Sequence, residues 1–206
     1  MTVYQQAEEY IKHRPFGAIF SFGQIVAKLD VSKDSLSHAL AKLEAKKHVS
    51  RLERGLWHRP KVTRFGVIGP KPETVAAILA KEREAFVVPA GAAAVNLLGW
   101  STQMSMIYNY ISTKRISPLN IGKHQINFRY SRAFEDAVKK LEGLNTEEKK
   151  RASVLWAALE YLGEIESLEK SKLIQQSFSQ LSLRAQKKFM TTLNGKLSWV
   201  TGILEQ

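Results

Sequence analysis

Apolar side chains recur every three or four residues through the first part of the chain, which is the spacing of amphipathic helices. Three helices are predicted there, at 2–13, 22–29 and 33–46, and Thr2 is placed to cap the first of them. Between the first two helices, the run 18–22 is short, apolar and aromatic, which is typical of a brief strand.

Two short segments, 48–53 and 56–61, follow the third helix and meet at Arg54-Gly55. Glycine there can adopt the positive φ of a tight turn, so the pair is predicted to form a β-hairpin. Helix, strand, helix, helix and hairpin is the element order of a winged helix-turn-helix. We therefore predict such a domain over residues 1–62.

The remaining residues, 63–206, are predicted to form a second domain. A stretch marked by glycine and proline, 63–70, indicates a linker or inter-domain turn. Further helices are predicted at 72–81, at 89–98 with Pro89 in the first turn, and from Thr146 onward, and strands are predicted at 85–88, 106–111 and 125–130. The predicted fold class is α+β: an N-terminal winged helix-turn-helix, then a mixed α/β C-terminal domain (63–135) ending in a helical segment (140–206).

The charge balance favours a polyanionic partner. The net charge is +12, from 31 basic and 19 acidic side chains, and a charge of this size attracts polyanions at long range. Both predicted domains carry an excess of basic residues. Nucleic acid is the leading partner class, an anionic membrane surface is second, and a basic protein without such a partner stays open as an alternative.

The absence of cysteine excludes disulfides and thiolate metal sites. The first ten residues contain Glu8 and Glu9 and lack the pattern of a signal peptide, and the longest apolar stretch, 86–100, is interrupted by proline and glycine. We therefore expect a cytoplasmic protein that does not cross a membrane.

The third predicted helix has one apolar and one polar face. Leu36, Ala39, Leu40 and Leu43 form the apolar stripe, and Val31 and Leu36 can pack together around the cap Ser32. Because such a helix enters the major groove in a winged helix, the candidate base-contacting residues are Ser37, His38 and Lys42. The candidate phosphate contacts at the helix N-terminus are Ser32, Lys33 and Ser35.

The predicted hairpin is rich in basic residues, with an aromatic side chain among them. This composition suits contacts to the DNA backbone or minor groove, and the candidate residues are Arg51, Arg54, Trp57, Arg59 and Lys61. Two alternatives stay open: Trp57 packs the wing onto the core, and the arginines form a solvated edge without a ligand.

Motifs that would indicate an enzyme are missing from the sequence. There are only three aspartates, no pair of histidines four residues apart, and no P-loop, nucleophile elbow or HExxH motif. A catalytic site would have to rely on glutamates such as Glu160 and Glu164. We therefore expect no catalytic residues, no metal and no cofactor, and keep a ligand-responsive regulator, with a pocket near 89–100, as the alternative function.

Several segments together resemble the AbiEi-type antitoxins of the AbiE abortive-infection, type IV toxin–antitoxin systems. The matching segments are the N-terminal domain with its Arg54-Gly-Leu-Trp-His-Arg-Pro-Lys wing, then Thr63-Arg-Phe-Gly, Gly69-Pro-Lys-Pro-Glu, and the run from Val88 to Gln103. The resemblance covers residues 1–135.

The resemblance implies a phage-defence antitoxin that represses its own operon by binding double-stranded promoter DNA, with inverted repeats as the target. It further implies that the second domain counteracts a nucleotidyltransferase-like toxin without forming a stable complex with it.

Overall fold

The computed structural model describes residues 1–102 and 107–205 and has a mixed α+β fold, as predicted. The chain divides into two compact units: Met1–Glu82 with Leu119–Gln125, and Arg83–Pro118 with Ile126–Gln206. The first unit extends beyond the boundary predicted at residues 62–70. It also includes residues 71–82 and the separate segment Leu119–Gln125.

Helices and short strands alternate along the first 82 residues, and longer helices dominate the end of the chain. The elements up to Glu82 are α1 (Val3–Lys12), β1 (Ile19–Ser21), α2 (Phe22–Leu29), α3 (Lys33–Ala45), β2 (Ser50–Glu53), β3 (Leu56–His58), β4 (Lys61–Thr63), β5 (Gly66–Ile68) and α4 (Pro72–Glu82). The chain continues with β6 (Val87–Pro89), α5 (Ala92–Leu97), β7 (Tyr108–Ser112), β8 (Leu119–Ile121), β9 (His124–Tyr130), α6 (Arg132–Lys140), α7 (Thr146–Glu169), α8 (Ser171–Ser179), α9 (Leu183–Thr192), a 3₁₀ turn (Gly195–Leu197) and α10 (Val200–Leu204).

The first three helices begin at side chains that cap their free amide groups. Thr2 and Ser21 form capping boxes with Gln5 and Gln24, and Ser32 accepts a hydrogen bond from the Ser35 amide. Each satisfies a backbone donor that the first helical turn leaves unpaired. The predicted bounds of α1, α2 and α3 are confirmed to within a residue.

A three-stranded antiparallel sheet in the order β1-β3-β2 closes the first unit. β3 is the central strand, with Ile19 and Ser50 both paired to His58. The core of this unit lies between the sheet and the helices, and its buried side chains are Ala7, Ile11, Phe20, Ile25, Leu36, Ala39, Leu40, Leu43, Val49 and Trp57.

The segment predicted as a linker forms a second hairpin. Lys61 pairs with Ile68, Val62 with Val67 and Thr63 with Gly66, so β4 and β5 make an antiparallel ribbon. α4 follows it and packs on β1. These contacts explain why residues 63–82 belong to the first unit.

In the second unit, β7 lies between β6 and β9, antiparallel to the first and parallel to the second. The helix predicted from Pro89 begins only at Ala92, because Pro89 is the last residue of β6 and pairs with Tyr110. Proline, which has no amide hydrogen, is tolerated on such an edge strand. Gly91 then adopts φ 64° and ψ −145° and starts the helix.

The core of the second unit surrounds α7. Eight consecutive residues of this helix, 152–159, are buried, because other elements cover it on all sides. The Phe134 ring of α6 lies 5.6 Å from the Trp156 ring of α7. α7 opens at Thr146 as predicted, whereas α6 was not predicted. Of the strand predicted at 106–111, Met106 lies outside the described residues, and β7 occupies 108–112.

Candidate nucleic-acid interface

The exposed face of α3 carries the residues predicted to contact bases. Leu36, Ala39, Leu40 and Leu43 are all buried against the core of the first unit, as predicted. Since this stripe fixes the rotation of the helix about its axis, the opposite face is turned to solvent. Its exposed side chains include Ser37, His38 and Lys42.

The start of α3 is a capped helix N-terminus. The Ser32 hydroxyl accepts from the Ser35 amide at 3.2 Å and donates to the Ser35 hydroxyl at 2.9 Å. Val31 packs against the same core as the fully buried Leu36, as the predicted hydrophobic staple requires. Ser32, Lys33 and Ser35 are all exposed, so they lie together where a helix N-terminus favours an anion.

The hairpin of β2 and β3 carries basic side chains at its edge and turn. Gly55 has φ 82°, which confirms the tight turn predicted at Arg54-Gly55. Arg51 and Arg54 are exposed, the first on the edge strand β2 and the second in the turn. The Arg51 guanidinium donates to the Glu53 carbonyl at 3.3 Å and lies 5.7 Å from the Trp57 ring.

Trp57 is a core residue, which supports the alternative that it packs the wing onto the core and not the prediction of a DNA contact. The side chain is 7% exposed and packs with the apolar core of the first unit. β3 is flanked by strands on both sides, and Leu56, Trp57 and His58 are all buried. A side chain in this strand is therefore withdrawn from any ligand outside the sheet.

Arg59 connects the hairpin to the end of α1, and its prediction as a DNA contact stays a prediction. Its guanidinium donates to the carbonyl of Lys12 at 2.8 Å and to the carbonyl of Arg14. It also lies 4.2 Å from the centre of the Phe16 ring. These contacts engage Nη1 and one face of the guanidinium with groups of the first unit itself.

Other cations near α1 are likewise engaged. The Tyr4 hydroxyl accepts a hydrogen bond from Lys46 at 3.1 Å and raises the pKa of that ammonium group. A hydrogen bond from Lys12 is the main cause that lowers the pKa of the Glu8 carboxyl, and His48 lies 3.3 Å from the same carboxyl oxygen.

By contrast, Lys33, Lys42 and Arg54 are exposed and have no ion-pair partner within residues 1–102 and 107–205. These cations on α3 and in the turn are therefore free to bind an external anion. Lys61 is also exposed but belongs to β4, in the second hairpin, and not to the wing strand in which the sequence placed it.

His58 is buried in the central strand, where burial disfavours the charged form of its ring. Its ring is 3% exposed, and burial lowers the pKa of the imidazole despite an opposing hydrogen bond with the Ser50 carbonyl. The ring Nδ1 lies 3.3 Å from that carbonyl oxygen. A neutral ring with its proton on Nδ1 donates there, so the role of His58 is structural.

The second hairpin exposes apolar side chains that were not predicted from the sequence. The ribbon turns at Arg64-Phe65. Four of its large apolar side chains are exposed: Val62, Phe65, Val67 and Ile68. A signal was present in the β-branched residues on each side of the turn, Val62 and Thr63 before it and Val67 and Ile68 after it.

Two cavities lie in the second unit. One, of about 440 Å³, lies beside the end of α5 and is lined by Trp100 and Ser177, which are joined by an indole hydrogen bond of 2.9 Å. The other, of about 820 Å³, is lined by Asn109 and Asn127, whose amides are hydrogen-bonded to each other at 3.1 Å.

Glu160 and Glu164, the glutamates considered for catalysis, both line the larger cavity. Glu160 accepts two hydrogen bonds from the Arg129 guanidinium and is thereby ion-paired. Across residues 1–102 and 107–205, no three metal-ligating side chains cluster together. None of the helices in these ranges is both long and apolar enough to cross a bilayer.

Comparison with known proteins assigns the chain to a family. No curated protein matches this chain. One family model, described as a family of unknown function (DUF6088), matches residues 6–183 and so covers both units. The match extends over most of the chain, and the protein therefore belongs to this family of unknown function.

Proposed function

We propose that the first unit is a winged helix-turn-helix that binds double-stranded DNA, with α3 in the major groove. The observation that carries the proposal is the orientation of α3: its apolar stripe is buried, and Ser37, His38 and Lys42 lie together on the opposite, exposed face. The major groove admits a helix and offers a different pattern of donors and acceptors for each base pair. Hydroxyl, imidazole and ammonium groups suit that pattern.

In this proposal the flanking groups position the protein on the sugar–phosphate backbone. Lys33 and the hydroxyls of Ser32 and Ser35 lie at the N-terminus of α3, where the helix dipole favours a phosphate. Arg51 and Arg54 extend the same role to the hairpin edge. Such contacts carry no sequence information but set the docking angle.

We further propose that the protein is a cytoplasmic, non-enzymatic antitoxin that represses its own operon and counteracts a nucleotidyltransferase-like toxin. The support is the resemblance of residues 1–135 to AbiEi-type antitoxins, together with the free cations on α3 and the hairpin turn. The promoter DNA with inverted repeats is the direct partner, and the toxin is opposed without a stable complex.

A gel-shift titration of the full chain on its own upstream DNA, against a scrambled duplex at two salt concentrations, tests the proposal. We expect preference for the upstream DNA and an affinity that falls steeply with salt, because each neutralised phosphate releases counterions. Equal affinity for both duplexes would refute sequence-specific repression. Co-expression with the toxin from a neighbouring gene, with growth as the readout, tests the antitoxin role separately.

Substitutions can distinguish the proposed contacts to bases from the proposed contacts to phosphates. Ser37→Ala and His38→Ala should relax sequence preference, at a cost of about 1–3 kcal/mol on the preferred DNA. Lys33→Gln with Arg54→Gln should weaken binding to both duplexes and reduce the salt slope by about 1 for each phosphate that is no longer bound.

Lys81→Gln removes one positive charge and is the control for Lys33→Gln and Arg54→Gln, each made singly. Lys81 lies on α4, which packs on β1, the sheet edge farthest from β2. We expect it to leave both affinities unchanged. A loss as large as that of the other charge variants would mean that net charge, and not the proposed surface, drives binding.

The cavities of the second unit favour a second candidate function, a ligand-responsive regulator. The cavity beside Trp100 lies at the end of α5, close to where the sequence suggested a pocket. A metabolite that raises the melting temperature of the full chain and releases it from DNA would support this function. Trp100→Phe, which removes the bond to Ser177, should then weaken the ligand response without changing DNA affinity in its absence.

A further inference from the structure

The second hairpin exposes more apolar surface than a two-stranded ribbon requires. Phe65, at its tip, is 85% exposed, and Val62, Val67 and Ile68 are each more than half exposed. These four apolar side chains lie within seven consecutive positions. Val62 and Val67 are paired across the ribbon and so lie on one face of it, and exposed apolar surface of this kind marks interaction sites in proteins.

The tip is held in a defined conformation although its side chains face solvent. Thr63 donates its hydroxyl hydrogen to the Gly66 carbonyl at 2.9 Å and accepts from the Phe65 amide at 3.3 Å. Gly66 has φ 117°, a value that other residues rarely adopt. The Arg64 guanidinium lies 4.6 Å from the centre of the Phe65 ring. An aromatic ring and a cation are thus presented together.

The charge of this segment indicates the kind of partner. Between Glu53 and Glu73 the chain has five lysine and arginine residues and no acidic residue. Lys61 and Arg64, both exposed, belong to the hairpin itself. Apolar side chains on a segment whose charged residues are all basic are complementary to a polyanion that also offers apolar surface, and stacked base pairs between phosphates meet this description.

We propose that the hairpin of β4 and β5 is a second DNA-contacting element, in which Phe65 wedges between base pairs while Lys61 and Arg64 bind the flanking phosphates. Proteins that contact the minor groove insert apolar side chains in this way and kink the duplex. The inference rests on the proposed DNA binding and adds a bend to it. Flexible pyrimidine–purine steps are the expected insertion points, because they unstack most readily.

The test uses the full chain and its upstream duplex, with dyes at both ends to measure bending and 2-aminopurine to report unstacking. Phe65→Ala should abolish the bend and the 2-aminopurine signal and weaken binding about tenfold, within the range that alanine substitution of a base-stacking aromatic produces. Phe65→Leu should retain most of the bend, since leucine also serves as a wedge. Leu183→Ala, at another highly exposed apolar position, should behave as the unsubstituted chain.

The outcomes separate this inference from the proposed function. If the unsubstituted chain prefers its upstream duplex but Phe65→Ala bends and binds it equally well, the wedge is refuted and DNA binding stands. If the unsubstituted chain binds no duplex, both fail. If Phe65→Ala instead halves the molar mass of the free protein in light scattering, the hairpin joins two copies of the chain and the wedge is refuted.

Discussion

Replacing Arg59 by alanine should destabilise the first unit and leave the proposed DNA-binding surface intact. The guanidinium donates to the carbonyls of Lys12 and Arg14, at and just past the end of α1, and stacks over Phe16. Carbonyl groups at a helix C-terminus lack partners within the helix, so these bonds also satisfy acceptors that are otherwise left to water.

The magnitude follows from these contacts. A hydrogen bond from a charged group contributes about 1.5–3 kcal/mol in a protected setting. Because Arg59 is half-buried, we take roughly half of that for each of the two bonds and add about 0.5 kcal/mol for the cation–π contact. The sum is about 2–3.5 kcal/mol, or a fall in melting temperature of roughly 8–28 °C for a unit of this size.

Arg54→Ala is the matched control, because it removes the same charge from an exposed turn. Thermal unfolding followed by circular dichroism, with hydrogen exchange of residues 1–20, measures stability, and gel shift measures DNA affinity. We expect Arg59→Ala to lower stability and speed exchange near Gly17, whose amide donates to the Arg59 carbonyl at 2.7 Å. We expect Arg54→Ala to weaken DNA binding alone.

The opposite pattern would overturn this assignment. If Arg59→Ala melts and exchanges like the unsubstituted chain but loses DNA affinity at a temperature where both are folded, its guanidinium contacts phosphate, and its bonds to α1 contribute little.

Three further predictions test the core and the backbone. Burial lowers the pKa of His58 below 6.5, so near that pH the unfolded chain binds a proton more readily than the folded chain. The free energy of unfolding should therefore fall as the pH drops below about 6.5. Urea unfolding at two pH values checks this, and His58→Gln should make the free energy of unfolding less dependent on pH. Leu40→Ala should cost about 2–5 kcal/mol in the same assay, because Leu40 is fully buried. Gly91→Ala should lower the melting temperature, since φ 64° strains any residue with a Cβ, and an unchanged value would contradict the observed backbone.

The helices of the first unit were predictable because their determinants are local. Thr2, Ser21 and Ser32 cap the residues immediately after them, and the period of the apolar stripe in α3 gives the exposed face directly. The same pattern was available for α6, where Phe134, Ala137, Val138 and Leu141 recur at helical spacing and are buried. The residues of α6 therefore contain enough information to predict a helix there.

The error at Pro89 has a different cause. Proline fits both the first turn of a helix and the end of an edge strand. The choice depends on Tyr110, a pairing partner more than twenty residues away, and on the unusual backbone of Gly91. Neither is visible in the residues around Pro89.

Whether a basic or aromatic side chain of the hairpins is buried or exposed depends on the position of its strand in the sheet and not on residue type. β1 pairs with β3 through Ile19 and His58, and this long-range partner makes β3 a central strand. Trp57 is therefore buried and Arg59, just past the strand, turns to α1. The hairpin groups that we propose for DNA contacts therefore lie on the edge strand, in the turns and in the second hairpin, where Phe65 is 85% exposed. In the proposed complex with DNA, Phe65 and not Trp57 is the aromatic side chain placed for contact, because the sheet encloses Trp57.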